Sequence, residues 1–166
     1  CMLEEDDGPG SAPRLRSEFD HWDWSHLDLS GCATLQSECL RQFARLTHLK
    51  VLDIIGCNAL IETSALINCT YLEGLSLAQC TGLRGREAWR GIEGMEWLKT
   101  LVLAGCTGLE DTTALMGCAS LDGLSLRDCT GLRGTDALNG ISSLRQLRDL
   151  NLDGCFGLTD TTPLAN

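Results

Sequence analysis

Ten cysteines, three histidines and one run rich in Trp and Asp are the residues of this 166-residue chain equipped for chemistry. A thiol can serve as nucleophile, metal ligand or disulfide partner, and each use demands a particular spacing. No Cys-x-x-Cys pair occurs. Six cysteines (Cys32, Cys57, Cys80, Cys106, Cys129 and Cys155) recur at nearly regular intervals along the chain. Such regularity puts them in one column of a stack, with parallel Cβ directions about 4.8 Å apart, a poor geometry for bridging or for a converging ligand set. They are expected to be buried, reduced and metal-free. Cys69 and Cys118 each follow a column cysteine by twelve positions, while Cys1 and Cys39 fall outside the pattern. Reduced thiols favour an intracellular setting, the cytoplasm first, without excluding an organelle. His26 stands near Cys32 in sequence, but the strand period sends the imidazole outward and the thiol inward, so a Cys–His nucleophile is not formed. His21 and His48 add no spaced ligand set. The sequence therefore predicts no catalytic residue, no metal and no cofactor.

The elements that hold these residues come from a repeat. The pattern L-x-x-L-x-L-x-x-C-x-x-L occurs six times, from Trp24-x-x-Leu27-x-Leu29-x-x-Cys32 to Leu147-x-x-Leu150-x-Leu152-x-x-Cys155, and only Trp24 and Ile54 depart from Leu at the strand positions. A 23-residue repeat alternates with one of about 26. Aligning 72–117 with 121–166 leaves 25 of 46 positions identical, so a pair of repeats, one of each length, is the duplicated unit. In each repeat two Leu side chains per strand point one way and bury, and the residues between them face outward. One repeat cannot bury its apolar edge alone, so neighbours must stack. Strands are expected near 27–29, 51–54, 74–77, 100–103, 123–126 and 149–152, all parallel. Gly82, Gly108, Gly131 and Gly157, two positions after their cysteines, are expected to give the turn its backbone angles. The long repeats have room for a two-turn helix; residues 37–46 put Leu40, Phe43 and Leu46 on one face. The short ones, Asp111-Thr112-Thr113-Ala114-Leu115 and Asp160-Thr161-Thr162-Pro163-Leu164, read as single capped turns.

These residues resemble the cysteine-containing leucine-rich repeats over about residues 24–166, and the 23-residue form is similar to repeats common in trypanosomatid leucine-rich-repeat proteins. The expected architecture is an α/β solenoid, a right-handed β/α horseshoe with one parallel sheet of about six strands. Residues 1–23 form an acidic N-terminal segment and cap, and the run Phe19–His26, with Trp22 and Trp24, closes the open end of the core or, alternatively, forms an aromatic ligand box. Trp89 and Trp97 are expected to pack in the core. Arg84 and Arg133 stand near Glu62, Asp111 and Asp160 of neighbouring repeats, which suggests a ladder of alternating charge. The segment before the repeats is too short and acidic for the adaptor-binding helices of the F-box subset. The family implies protein recognition on a curved scaffold, with no catalytic residues to carry over.

A formal charge of −10 argues against a phosphate-backbone binder, which needs clustered Lys and Arg. No run of about 18 apolar residues encodes a membrane span. The outward strand positions are small or apolar in the middle and acidic at the ends. The partner is expected on the strip Val51, Asp53, Ile55, Ser76, Ala78, Val102 and Ala104, flanked by Asp28, Arg127, Asp149, Asn151 and Asp153. Close-fitting small residues suit the backbone of a partner protein, and the acids favour a basic surface on it. The expected function is a protein-interaction module or scaffold subunit within a large assembly. The rival is a regulatory or inhibitory repeat domain of a larger, enzyme-containing protein.

Overall fold

The structure is a computed structural model that describes residues 3–4, 14–15 and 25–165. The cap expected over residues 1–23, with Trp22 and Trp24, lies outside the described residues apart from two short strands. These are β1 (Leu3–Glu4) and β2 (Arg14–Leu15), paired antiparallel with Leu3 opposite Leu15. Six strands follow: β3 (His26–Asp28), β4 (Val51–Asp53), β5 (Gly74–Ser76), β6 (Thr100–Val102), β7 (Gly123–Ser125) and β8 (Asp149–Asn151). They form one parallel sheet in strict sequence order, each within about a residue of its expected place. Leu27, Leu52, Leu75, Leu101, Leu124 and Leu150 are cross-strand partners along one row. That row and the row of Leu29, Ile54, Leu77, Leu103 and Leu126 enter the core, where all but Leu150 are buried.

The connections are 3₁₀ helices, in the long repeats where a two-turn helix was expected as well as in the single turns of the short ones. The long repeats carry Ser37–Arg45, Arg86–Ile92 and Asn139–Ser143, and the short ones Ser64–Asn68, Thr113–Leu115 and Thr162–Leu164. A 3₁₀ turn rises about 2.0 Å per residue, so it spans the back of a repeat with fewer residues than an α-helix needs. Among the described residues no helix is long and apolar enough to cross a membrane. The single turns are capped as read from sequence: the Asp111 and Asp160 carboxylates accept the N–H groups of Thr113 and Thr162, each at 2.8 Å.

Two details of the turns differ from the sequence reading. Positive φ falls on the residue before each cysteine (Gly31, Gly56, Gly105 and Gly154, with Gln79 and Asp128 in the same slot) and not on the later glycines. Those later glycines instead allow repeats to touch: a Cβ on Gly82 would lie 2.3 Å from Asn58 O, and one on Gly131 2.4 Å from Thr107 O. The expected charge ladder is also displaced. Arg84 and Arg133 donate to the carbonyls of Thr81 and Thr130, Asp111 pairs across repeats with Arg86 at 3.0 Å, and the longer run of alternating charges lies along the lip where the strands begin.

The thiols form a ladder of hydrogen bonds. Cys57 donates to Leu29 O at 3.3 Å, Cys80 to Ile54 O at 3.0 Å, Cys106 to Leu77 O at 3.0 Å, Cys129 to Leu103 O at 3.1 Å and Cys155 to Leu126 O at 2.9 Å. Each cysteine thus binds the carbonyl where the preceding repeat leaves its strand. None of the described cysteines is in a disulfide, and all except Cys32 are buried. The half-exposed position of Cys32 corrects the expectation for the six. It heads the column at the first repeat, and its thiol lies 3.9 Å from Thr34 Oγ1. Cys39, unassigned from sequence, is fully buried beside Leu40 and Phe43.

Candidate functional site

The outer face of the sheet carries the side chains that alternate with the buried Leu rows. Val51, Val102, Ala78 and Ala104 are half-buried there and Ile55 is exposed, so the centre of the face is smooth and apolar. Ser76 departs from its expected role as an accessible contact, being 7% exposed. The glycines make the relief. A Cβ on Gly74 would stand 3.5 Å from Val51 Cγ2, and one on Gly123 would reach Thr100 Cγ2 at 4.0 Å. Their absent side chains leave two shallow depressions. One, of about 350 Å³, brings together Val51, Asp53, Ser76 and Val102 around Gly74. The other, of about 470 Å³, joins Val102 to Asp149 and Asn151 around Gly123. Val102 lines both. Ile55, Ala78 and Ala104 lie farther along, just past the strand ends.

Acids border this strip. Asp53 accepts a hydrogen bond from His26 Nε2 at 2.9 Å, tying β3 to β4 by a contact absent from the sequence reading. Asp28 is exposed, and the N–H and hydroxyl of Ser30 hold its carboxyl below the usual range. At the far side Arg127 lies 3.3 Å from Asp128 and 3.6 Å from Asp153, so this base is largely matched by acids. Asn151 accepts the Asp153 N–H at 2.9 Å, and Asp149 is exposed. The structure thus gathers Val51, Asp53, Ser76, Val102, Asp149 and Asn151 around the two depressions. Asp28, Arg127 and Asp153 stand apart as a charged border. Chemically the face can exclude water over a small apolar strip and attract positive charge at its rim.

The lip where the strands begin holds a feature missed in the sequence reading. Glu73 bridges Lys50 at 2.9 Å and Lys99 at 2.7 Å, and these two ammonium groups hold its carboxyl down at about 2. Asp122 and Arg148 continue the alternation at 3.4 Å. Tyr71 and Trp97 stand beside the triad, each 63% exposed, and with His48 and Thr47 they line a cleft of about 750 Å³. Trp97 was expected in the core; it occupies the position before the first Leu of its repeat, which faces solvent. Trp89 does pack inside. The available signal was the set His48, Tyr71 and Trp97 at that one position in three successive repeats. Among the described residues no group of three or more His, Cys, Asp or Glu could hold a metal ion. His26 engages Asp53, and the Cys32 thiol lies by Thr34.

No protein-family model matches the chain, and no curated protein matches it. Among solved structures it is similar to the leucine-rich repeat domain of the type III effector XopL, with 29% identity and a TM-score of 0.50, over 67% of this chain and 37% of that one. An internalin (inlF) from Listeria monocytogenes aligns at 22% identity and a TM-score of 0.36, over 76% of this chain and 47% of that one. Internalin C2 of the same organism aligns at 17% and 0.35, over 86% and 76%. The chain thus spans less than half the length of the first two.

Proposed function

We propose that this chain, which is a leucine-rich-repeat solenoid, works as a protein-interaction module that receives its partner on the outer face of the sheet. The observation that carries the reading is the relief of that face: two depressions around Gly74 and Gly123 share Val102. A partner strand or helix can lay its backbone into them and bury Val51, Ile55 and Val102. Burial of apolar area supplies affinity at roughly 25 cal/mol per Å², less the cost of ordering both partners. Asp28, Asp53, Asp149 and Asp153 meet basic residues of the partner at the rim, which speeds encounter and sets orientation more than it adds affinity. The face offers no cluster of bases for a nucleic-acid backbone. Among the described residues eight cysteines are buried as reduced thiols, which supports an intracellular site of action, the cytoplasm first.

The test is a pair of substitutions that leave the core untouched, one in the depressions and one farther along the same face. Partners captured by the intact chain are identified by mass spectrometry, and binding is then measured for Val102→Arg and Ala78→Trp, with circular dichroism as the folding control. Val102→Arg is expected to weaken binding at least tenfold with the solenoid intact. Affinity unchanged in both folded variants would move the contact to the cleft at the lip or to the back of the repeats.

A further inference from the structure

The cleft at the lip lies off the sheet face, and the use proposed for that face does not engage it. Three rings mark the cleft, each one position before the first Leu of its repeat: His48, Tyr71 and Trp97. Each stands at the third place of a tight turn. The turns are closed by the Leu49 N–H on Leu46 O at 2.9 Å, the Leu72 N–H on Cys69 O at 3.2 Å and the Leu98 N–H on Met95 O at 3.2 Å. The strands that follow pair in register, Val51 with Gly74 and Gly74 with Thr100. The three rings therefore rise from equivalent points on consecutive repeats. Their footing is held firmly, since Lys50 O accepts the N–H groups of Glu73 and Gly74, and Glu73 O those of Lys99 and Thr100. All three side chains are nevertheless exposed, so Tyr71 and Trp97 forgo the burial that rings of their size ordinarily gain.

The polar inventory of the cleft is one-sided. Trp97 Nε1 and the ammonium groups of Lys50 and Lys99 can only donate hydrogen bonds. The one carboxylate lining the cleft, that of Glu73, has Oε1 on Lys50 and Oε2 on Lys99, so both its oxygens are engaged. Neither the Tyr71 hydroxyl nor the Trp97 indole N–H has a partner among the described residues. A fitting ligand therefore brings acceptors, few donors, and apolar rings to lie against Tyr71 and Trp97. A sugar brings hydroxyl donors that need free carboxylate or amide oxygens. A basic peptide meets two ammonium groups whose counter-ion is already spent. A proline-rich segment matches on each count: its carbonyls are unpaired, its prolines have no N–H, and its pyrrolidine rings are apolar. The spacing matches as well. A polyproline helix rises about 3.1 Å per residue with three residues per turn, roughly 9.3 Å in all. The two strand intervals that separate the His48 repeat from the Trp97 repeat amount to about 9.6 Å.

We infer that the lip cleft binds a proline-rich segment of a partner protein in the polyproline II conformation, running along the lip across the repeats. Prolines three apart rest against His48 and Trp97, with Tyr71 between them. Trp97 Nε1, the Tyr71 hydroxyl and the two lysines donate to the carbonyls of the segment. Such a segment is stiff before it binds and loses little freedom on docking, which suits a shallow site. The site is separate from the sheet face, and its success or failure is independent of that reading.

The probe is decaproline with acetylated and amidated ends, titrated into the chain by calorimetry and followed through the indole N–H signals in NMR. Saturable binding is expected, with the Trp97 signal shifted and that of buried Trp89 unmoved. Trp97→Ala and Tyr71→Ala change exposed side chains, and circular dichroism checks that both variants fold. Each should weaken binding at least tenfold. Val102→Arg, on the sheet face, should leave it within twofold, and a glycine–serine peptide of the same length should not bind. No saturable binding of decaproline, equal binding of the glycine–serine peptide, or unchanged affinity in both folded ring variants would overturn the proposal. Binding of maltohexaose or ATP that Trp97→Ala abolishes, with decaproline silent, would overturn it in favour of a glycan or a nucleotide.

Discussion

The Cys106 thiol is fully buried and donates to Leu77 O, while Cys32 at the start of the column is half-exposed and lies by Thr34. One residue type at one repeat position therefore has two energetic weights. Cys106→Ala removes a hydrogen bond and leaves a small cavity, so a loss of about 1–2 kcal/mol is expected in urea unfolding. Cys32→Ala should cost less than about 0.5 kcal/mol. The buried thiols, in the column and behind it, also make stability sensitive to alkali. Burial pushes the thiols of Cys57 and Cys69 up to about 11 and those of Cys118 and Cys129 up to about 12, from an ordinary value of 9.0. Above pH 9 the unfolded chain gives up protons that the folded chain keeps, so the folded state loses ground as pH rises. The contribution is complete below pH 9 and vanishes as pH passes through 11–12. Urea midpoints from pH 8 to 10.5 should fall, and Cys118→Ala should flatten the slope; an equal slope in that variant would assign the effect to other groups.

Stacking of one connection on the next depends on glycine at chosen places. Gly91 sits in the Arg86–Ile92 helix against Thr63, whereas Gly94, three positions on, has only Ile67 Cγ1 at 3.7 Å from its imagined Cβ. Gly91→Ala should therefore destabilise by about 2–3 kcal/mol through forced separation of two repeats. Gly94→Ala should be neutral within about 0.5 kcal/mol. Chemical denaturation of the two variants side by side checks this, and similar losses in both would mean that the repeats yield readily. The same contact explains the 3₁₀ form: the connections lie so close that backbone meets backbone, and the tighter helix keeps each one narrow.

For the molecule as a whole, each repeat touches its neighbours and little else, so stability is a sum of repeat and interface contributions. Removing residues 118–166 deletes one duplicated unit and leaves Leu101, Leu103, Leu109 and Leu115 at an open end, as Leu150 and Leu164 are now. The shortened chain is expected to fold with a lower melting temperature and a urea m-value reduced by roughly 30%, in proportion to the chain removed. An unchanged m-value would mean that the last pair of repeats does not unfold with the others. The charge pattern divides at this scale too, with acids around the sheet face and the Lys50–Glu73–Lys99 triad on the lip.

The six-fold Leu spacing by itself determined the number of strands, their order, their parallel sense and which side chains fill the core, because a period-two strand recurring at near-constant intervals can bury its leucines in only one way. The capped single turns at Asp111 and Asp160 were legible for the same local reason: a short polar side chain reaches a backbone N–H two positions on. Everything that depends on the distance between repeats was decided by the tertiary structure. Gly91 and Gly140 are ordinary glycines until a neighbouring carbonyl lies under them. Ser76 reads as surface until the flanking strands cover it, and Trp97 reads as core until its lip position turns it outward. The thiol ladder needed both: the sequence placed the cysteines in register, and only the stack brought each within reach of the carbonyl one repeat before it.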